Sequence, residues 1–336
     1  MTAAPALPTT KGYCNILARE RGLDPAGHAG HFQDAVLLEV PLPWKRDLMG
    51  KAGALAPEIL NLLAVWLQDY RDGKGYPHRP LVIAPDERYS RVGYRRVMFY
   101  TRPAGAFAQF DKTEYLVPTD QQGGLVWAWY QTPELLTEFE RYRVPEADMV
   151  RDILVCTHGT VDAACAKFGY PLYRHLRDEH GDTADLRVWR CSHFGGHVFA
   201  PTLMEMPTGH YWAYIEPSQA DQIARREGDV AQLRGHYRGW AGLDGGFLQT
   251  AERDLWQQYG WDWFGLNKRG ETLSQDPDPE NPLWAEVRIT HDLPDGGQAT
   301  HDFRIEVKLI LETEVSTGDN RTYAYPQYVS SVLSLT

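Results

Sequence analysis

Residues 151–201 decide the reading: RDILVCTHGTVDAACAKFGYPLYRHLRDEHGDTADLRVWRCSHFGGHVFAP. The segment opens on an apolar strand over 152–155 and runs into Cys156-Thr157-His158-Gly159. A helical period over 163–179 follows, with Phe168, Leu172 and Leu176 along one side. A second strand over 187–191 runs into Cys191-Ser192-His193-Phe194-Gly195-Gly196-His197. Loops at strand ends can converge on one point, and these two carry soft thiolate and imidazole donors. That is what a transition-metal site needs. Glycines at 159, 195 and 196 permit close backbone approach. An isolated cysteine or histidine is usually a small buried group or a satisfied polar one, and Cys14, His175, His180 and His210 are read that way.

Working outward, a hairpin over 202–206 and 210–215 turns at Pro207-Thr208-Gly209, and Pro217 starts a helix over 218–227. The order is strand, helix, three strands, helix. It occurs once before. A strand over 35–40 is stopped by Pro41 and Pro43, and a helix over 57–70 aligns Ile59, Leu62, Leu63, Trp66 and Leu67. Strands over 81–84, 96–101 and 106–116 and a helix over 133–143 complete the unit. Laid side by side, Val40-Pro41 with Asp47 matches Val155-Cys156 with Asp162, which reads as an internal duplication. A mixed sheet with helices in this order is thioredoxin-like. The first copy has proline where the second has cysteine, so only the second can bind a metal. Residues 1–30 read as a loose lead-in and 270–282 as a polar loop. The tail over 284–335 alternates apolar and polar residues, as an antiparallel sheet does. Trp240, Trp256, Trp261, Trp263 and Trp284 are read as packing this last layer onto the second unit, with a partner-binding face as the alternative.

Composition bounds the function. A chain of 336 residues with 43% hydrophobic and 24% charged residues is a globular protein of more than one domain. A net charge of −11 argues against a nucleic-acid partner. No apolar run is long enough to cross a membrane. The first residues lack the features of an export signal, and four cysteines are too few for a disulfide scaffold. A reduced, cytoplasmic protein is expected. There is no C-x-x-C redox motif, P-loop or dinucleotide fingerprint, and Asp152, Asp162 and Glu205 show no pairing that would serve glycoside hydrolysis.

The residue types leave the metal open. Two cysteines and two histidines suit tetrahedral zinc, but Cys156 and Cys165 form a C-x8-C pair, wider than zinc fingers use, whereas His193 and His197 fit. Rieske-type [2Fe–2S] centres also use two of each. Cys156-x-His158 and Cys191-x-His193 look like their first box, yet the second box and the spacing are not met.

The combination of Cys156-Thr157-His158-Gly159, Asp162, Cys165, Gly169, Pro171-Leu172, Trp189, Ser192 to Pro201, Pro207-Thr208-Gly209 and Tyr237-Arg238-Gly239 resembles the sucrase/ferredoxin-like family. That family includes thioredoxin-like [2Fe–2S] ferredoxins. The resemblance covers residues 150–260 well, the N-terminal half loosely and the last 75 residues hardly at all. It implies a [2Fe–2S] cluster held by Cys156, Cys165, His193 and His197, with His158, Cys191, Gly195 and Gly196 around them. One position departs from the pattern: Val161 stands where the family usually has arginine.

The expectation is therefore an α/β protein. Residues 1–30 form an irregular lead-in, 31–148 a thioredoxin-like unit without a cluster, 149–262 a thioredoxin-like [2Fe–2S] ferredoxin unit and 263–336 a β-rich extension. The expected function is proton-coupled one-electron transfer to or from a redox partner protein, with no independent catalytic activity. Neutral imidazoles leave the cluster less negative and raise its potential, and their outer nitrogens couple a proton to the electron. Amides of Gly195 and Gly196 are placed to tune the cluster sulfurs. The alternative is a structural or regulatory zinc module on the same residues.

Overall fold

The computed structural model describes residues 12–50, 55–75, 77–293, 295–314, 316–318 and 321–335. A short helix, α1 (Cys14–Glu20), precedes the first strand, β1 (Asp34–Glu39). Five of the six β1 residues are buried, because both faces are covered. Val36 and Leu38 pack against Ile59, Leu62 and Trp66 of helix α2 (Pro57–Arg71), while Ala35 and Leu37 join the larger core shared with the rest of the chain.

β2 (His78–Ile83) runs parallel to β1, and α2 is the crossover between them. β3 (Tyr94–Thr101) lies antiparallel on the other side of β1, and β4 (Asp111–Pro118) antiparallel to β3. The pattern then repeats. β5 (Arg151–Cys156) is parallel to β6 (Leu186–Cys191) across helix α4 (Ala163–His180). β7 (Leu203–Met206) is antiparallel to β5 and β8 (His210–Trp212) antiparallel to β7. The closing helices are α3 (Gln122–Gln131) and α5 (Pro217–Arg225). Each quartet with its crossover helix and closing helix thus follows the same order of elements.

The units share one sheet. β2 and β6 meet at Ile83 and Cys191, and β9 (Tyr237–Trp240) extends the far edge, giving the order β4-β3-β1-β2-β6-β5-β7-β8-β9. The sheet bends on itself, because residues of β4 reach β5 although four strands stand between them in that order. Lys112 Nζ donates to Asp152 Oδ2 at 2.5 Å and to the Val150 carbonyl at 3.0 Å. Arg187 Nε, Trp189 Nε1 and Tyr100 OH also donate to the Asp152 carboxylate, at 2.8, 2.7 and 3.0 Å. Burial alone would raise this carboxyl, but Arg187 and Lys112 hold it well below the usual range. Glu114 takes Arg187 and Arg96. Three cations, Arg96, Lys112 and Arg187, thus share two buried carboxylates at the seam between the units.

Helix α6 (Gly245–Tyr259) leads to a second sheet, an antiparallel meander of β10 (Lys268–Gln275), β11 (Trp284–Asp292), β12 (Gln298–Glu314) and β13 (Thr322–Leu335). Ala285, Val287, Ile289, Phe303 and Ile305 are buried on its inner face, as the alternation requires. Trp240, Trp256 and Trp263 are fully buried where this layer meets the first sheet, while Trp261 and Trp284 are half-buried. Among the described residues no helix is long and apolar enough to cross a membrane.

Four local readings need correction. The segment 133–143 forms 3-10 turns, and the helix lies earlier at α3. Gly123-Gly124 conceals α3 in the sequence, yet a Cβ on Gly123 would stand 2.7 Å from the Cβ of Ala56, at the start of α2, so the close approach to α2 needs glycine. Residues 268–275 are a strand whose side chains are nearly all exposed, so no apolar period marks it. The described part of the lead-in contains α1; residues 1–11 lie outside the described residues. The duplication also shifts by two positions: Glu39 pairs with Ile83 as Cys156 pairs with Cys191, so Glu39, not Pro41, occupies the position of Cys156.

Candidate metal centre

Parallel pairing puts Cys156 beside Cys191 at the ends of β5 and β6, so the loops that follow leave the sheet at one edge. The first loop ends at Asp162, whose Oδ1 accepts from Ala164 N at 2.8 Å and caps α4. Cys165 follows in the first turn. One turn later Gly169 lies directly over the Cys156 carbonyl: a Cβ there would be 2.0 Å from that oxygen. Glycine lets α4 settle onto β5, and this brings Cys165 to Cys156.

The second loop turns on Gly195 and Gly196, with φ of 93° and 79°, where side chains are disfavoured. The turn stacks the His193 and His197 rings, centroids 5.2 Å apart and planes 26° apart. Its carbonyls are gripped by two arginines. Arg79 donates to Phe194 O, and Arg238 donates to Gly195 O at 3.2 Å and to His28 O at 2.6 Å.

Nδ1 of His193 lies 3.8 Å from Sγ of Cys156 and 3.7 Å from Sγ of Cys165. With metal–sulfur bonds of about 2.3 Å and metal–nitrogen bonds of about 2.0 Å, such separations are edges of a ligand tetrahedron around one ion. A hydrogen bond with Cys165, helped by His193, holds the Cys156 thiol well below its ordinary range despite burial. The same partnership and burial push Cys165 up. The opposite shifts favour the thiolate at Cys156, and a thiolate is the form that ligates a metal. Both cysteines are buried, and both histidines are partly buried. The donor set fits a metal or a small cluster.

Among the described residues two groups of three metal-ligating side chains gather within 4.8 Å. One is Cys156, Cys165 and His193. The other is Cys14, Asp162 and His197. Three of the four expected ligands therefore share one point, and His197 stacks beside them with one ring nitrogen in the second group. The expected neighbours lie close by in other roles. His158 Nδ1 accepts from His193 N at 3.4 Å while its Nε2 donates to Lys45 O at 3.0 Å, so both ring nitrogens are engaged. Cys191 is fully buried, which pushes its thiol well up, and it belongs to neither group.

Sequence reasoning did not place Cys14, Arg79, Ser316 or Thr317 here. They come from distant elements, and nothing near them in the sequence marks them. Arg238 was within the quoted strings but without a role. The carboxylates considered for hydrolysis are committed internally: Asp152 to its ion network, Asp162 to the helix cap, and Glu205 to Arg151 Nη2 at 2.7 Å and Trp212 Nε1 at 3.0 Å.

A comparison with curated proteins finds no match. Among solved structures, one similar chain is a thioredoxin-like [2Fe–2S] ferredoxin from Aquifex aeolicus. Its identity is 10%, with 23% of this chain and 79% of that one covered and a TM-score of 0.21. The sucrase/ferredoxin-like family model matches residues 25–239, a span that takes in both strand quartets and both loops of the metal centre. The chain belongs to the sucrase/ferredoxin-like family.

Proposed function

We propose that the chain is a one-electron carrier in which Cys156 and Cys165 as thiolates, and His193 and His197 as imidazoles, hold a [2Fe–2S] cluster. The observation that carries this reading is the convergence of two buried thiols on His193 Nδ1, with the His197 ring stacked alongside. Such a cluster, when bound, takes up and returns a single electron. The chain's own residues supply the asymmetry that this needs. The thiols sit inward, 2% and 1% exposed. The two histidines are only partly buried, and on their side a redox partner protein in a reducing compartment can approach; an imidazole ligand can also couple a proton to the electron. Arg79 and Arg238 fix the loop that aims both rings.

A zinc module is the second reading, and one observation favours it: the three closest donors stand at the spacing of a single ion. Anaerobic purification followed by visible and electron-spin spectroscopy with iron, sulfide and zinc analysis separates the two. A red-brown chain with about two irons and two sulfides supports the carrier, and a colourless chain with about one zinc replaces it. For the ligands, His197→Cys is expected to keep the cluster at a lower potential and His158→Ala to keep all four ligands. Loss of the cluster in His158→Ala with retention in His197→Ala would refute the assignment.

A further inference from the structure

The β12–β13 connection reaches the metal centre from the far end of the chain. Thr317 donates twice to Asp162, from its backbone N to Oδ2 and from Oγ1 to Oδ1, both at 2.8 Å. The same carboxylate caps α4 and takes the Cys14 thiol at 3.8 Å. Ser316 Oγ lies 3.4 Å from Nε2 of His197. Helix α1 packs into the same junction: Asn15 Nδ2 donates at 2.9 Å to Ala200 O, just after the turn that carries His197. Leu311 and Tyr325, on either side of the connection, pack against a core containing Ala164, Val198 and Phe199.

By residue type, Cys14, Asp162 and His197 could take an ion of their own. Their bonding points elsewhere. The Asp162 oxygens already receive two amides, a hydroxyl and a thiol. Each of these bonds ties Asp162 to a different segment: the start of α4, the β12–β13 connection and α1. The cluster is a joint between the C-terminal sheet and the two ligand loops.

We propose that Ser316 and Thr317 are positioning residues that latch the metal centre: Thr317 fixes, through Asp162, the first turn of α4 that carries Cys165, and Ser316 abuts the His197 ring. They also form one wall of an open polar cleft with Arg46, Gly159 and Thr160. Releasing the latch would loosen both ligand loops and open them to water from that side. The claim about metal retention rests on the function proposed above, whereas the joint itself is tested without metal.

The test uses the full chain with Thr317→Val, Thr317→Ser and Ser316→Ala. In metal-free protein, hydrogen–deuterium exchange of Thr317→Val should rise about tenfold over 163–167 and 196–200, the cost of one hydrogen bond to a charged acceptor, while β5 and β6 stay protected. Thr317→Ser, which keeps the hydroxyl, should restore the wild-type rate. In metal-loaded protein, transfer of iron or zinc to a chelator should be about tenfold faster in Thr317→Val and faster in Ser316→Ala. Unchanged exchange over both segments, or a uniform rise that includes β5 and β6, overturns the latch. A local rise with unchanged metal transfer overturns its role in holding ligands. A local rise in a chain that binds neither iron nor zinc leaves the joint standing and removes the proposed function instead.

Discussion

Gly169→Ala separates two opposite expectations. Helix propensity alone makes alanine better than glycine by about 1 kcal/mol inside a helix, and Gly169 is inside α4. The tertiary structure reverses the sign. The new Cβ would be 2.0 Å from the Cys156 carbonyl oxygen, a backbone atom that no rotamer change can move. Ordinary contact begins about 1 Å or more further out, so α4 must lift from the end of β5. Overpacking of this kind costs up to about 3 kcal/mol, and the propensity gain offsets about 1, which leaves a net loss of about 2 kcal/mol. Cys165 lies one turn before Gly169 on the same helix face and moves with it. A displacement of that size far exceeds the ~0.2 Å tolerance of a metal–ligand bond. Urea unfolding of metal-free protein measures the first effect, and bound metal per chain after purification measures the second. A variant as stable as wild type, or more stable, that retains full metal content would refute the packing argument.

Three further outcomes are expected. Asp152→Asn leaves Lys112, Arg187 and Arg96 in the interior with Glu114 as their remaining carboxylate partner. The loss should be about 3–5 kcal/mol in urea unfolding at pH 6. Burial already brings Lys112 down to about 8, so the variant can shed that proton and its deficit should shrink at pH 9; an equal deficit at both pH values would be wrong for this network. His28 is held down to about 4 by burial and by Arg238, against the Pro326 carbonyl and Asp24, which favour the proton. The unfolded chain takes up the proton first as pH falls, so this stability is complete above about 6.5 and is lost progressively toward 4, at most about 3 kcal/mol. His28→Gln should flatten that decline, and parallel losses in variant and wild type would count against it. Arg238→Lys keeps the charge but not the fork that serves Gly195 O and His28 O, and should cost about 1–3 kcal/mol in thermal unfolding; an unchanged midpoint would show that the fork is dispensable.

Local periodicity carried much of the fold. β1, α2, β5, α4 and the alternating tail are legible because each presents an apolar face at the spacing its own geometry demands, whatever else surrounds it. α3 and β10 were not legible, the first because paired glycines mimic a loop, the second because a solvent-exposed strand has no buried face to repeat. The equivalence of Glu39 with Cys156 needed strand register, since a two-residue shift preserves every inward and outward side chain.

The amino-acid sequence by itself supplied the candidates: thiols and imidazoles crowd two loops, and the family resemblance singles out Cys156, Cys165, His193 and His197 among them. Tertiary structure alone decided how they stand. It gathered three of them at one point, turned His197 toward Cys14 and Asp162, and brought Thr317 to Asp162 across 155 positions of chain. The reason is physical. Ligand chemistry belongs to individual side chains, but their distances depend on which strands pair and how closely a helix can approach a carbonyl, and such contacts between remote segments leave no local trace.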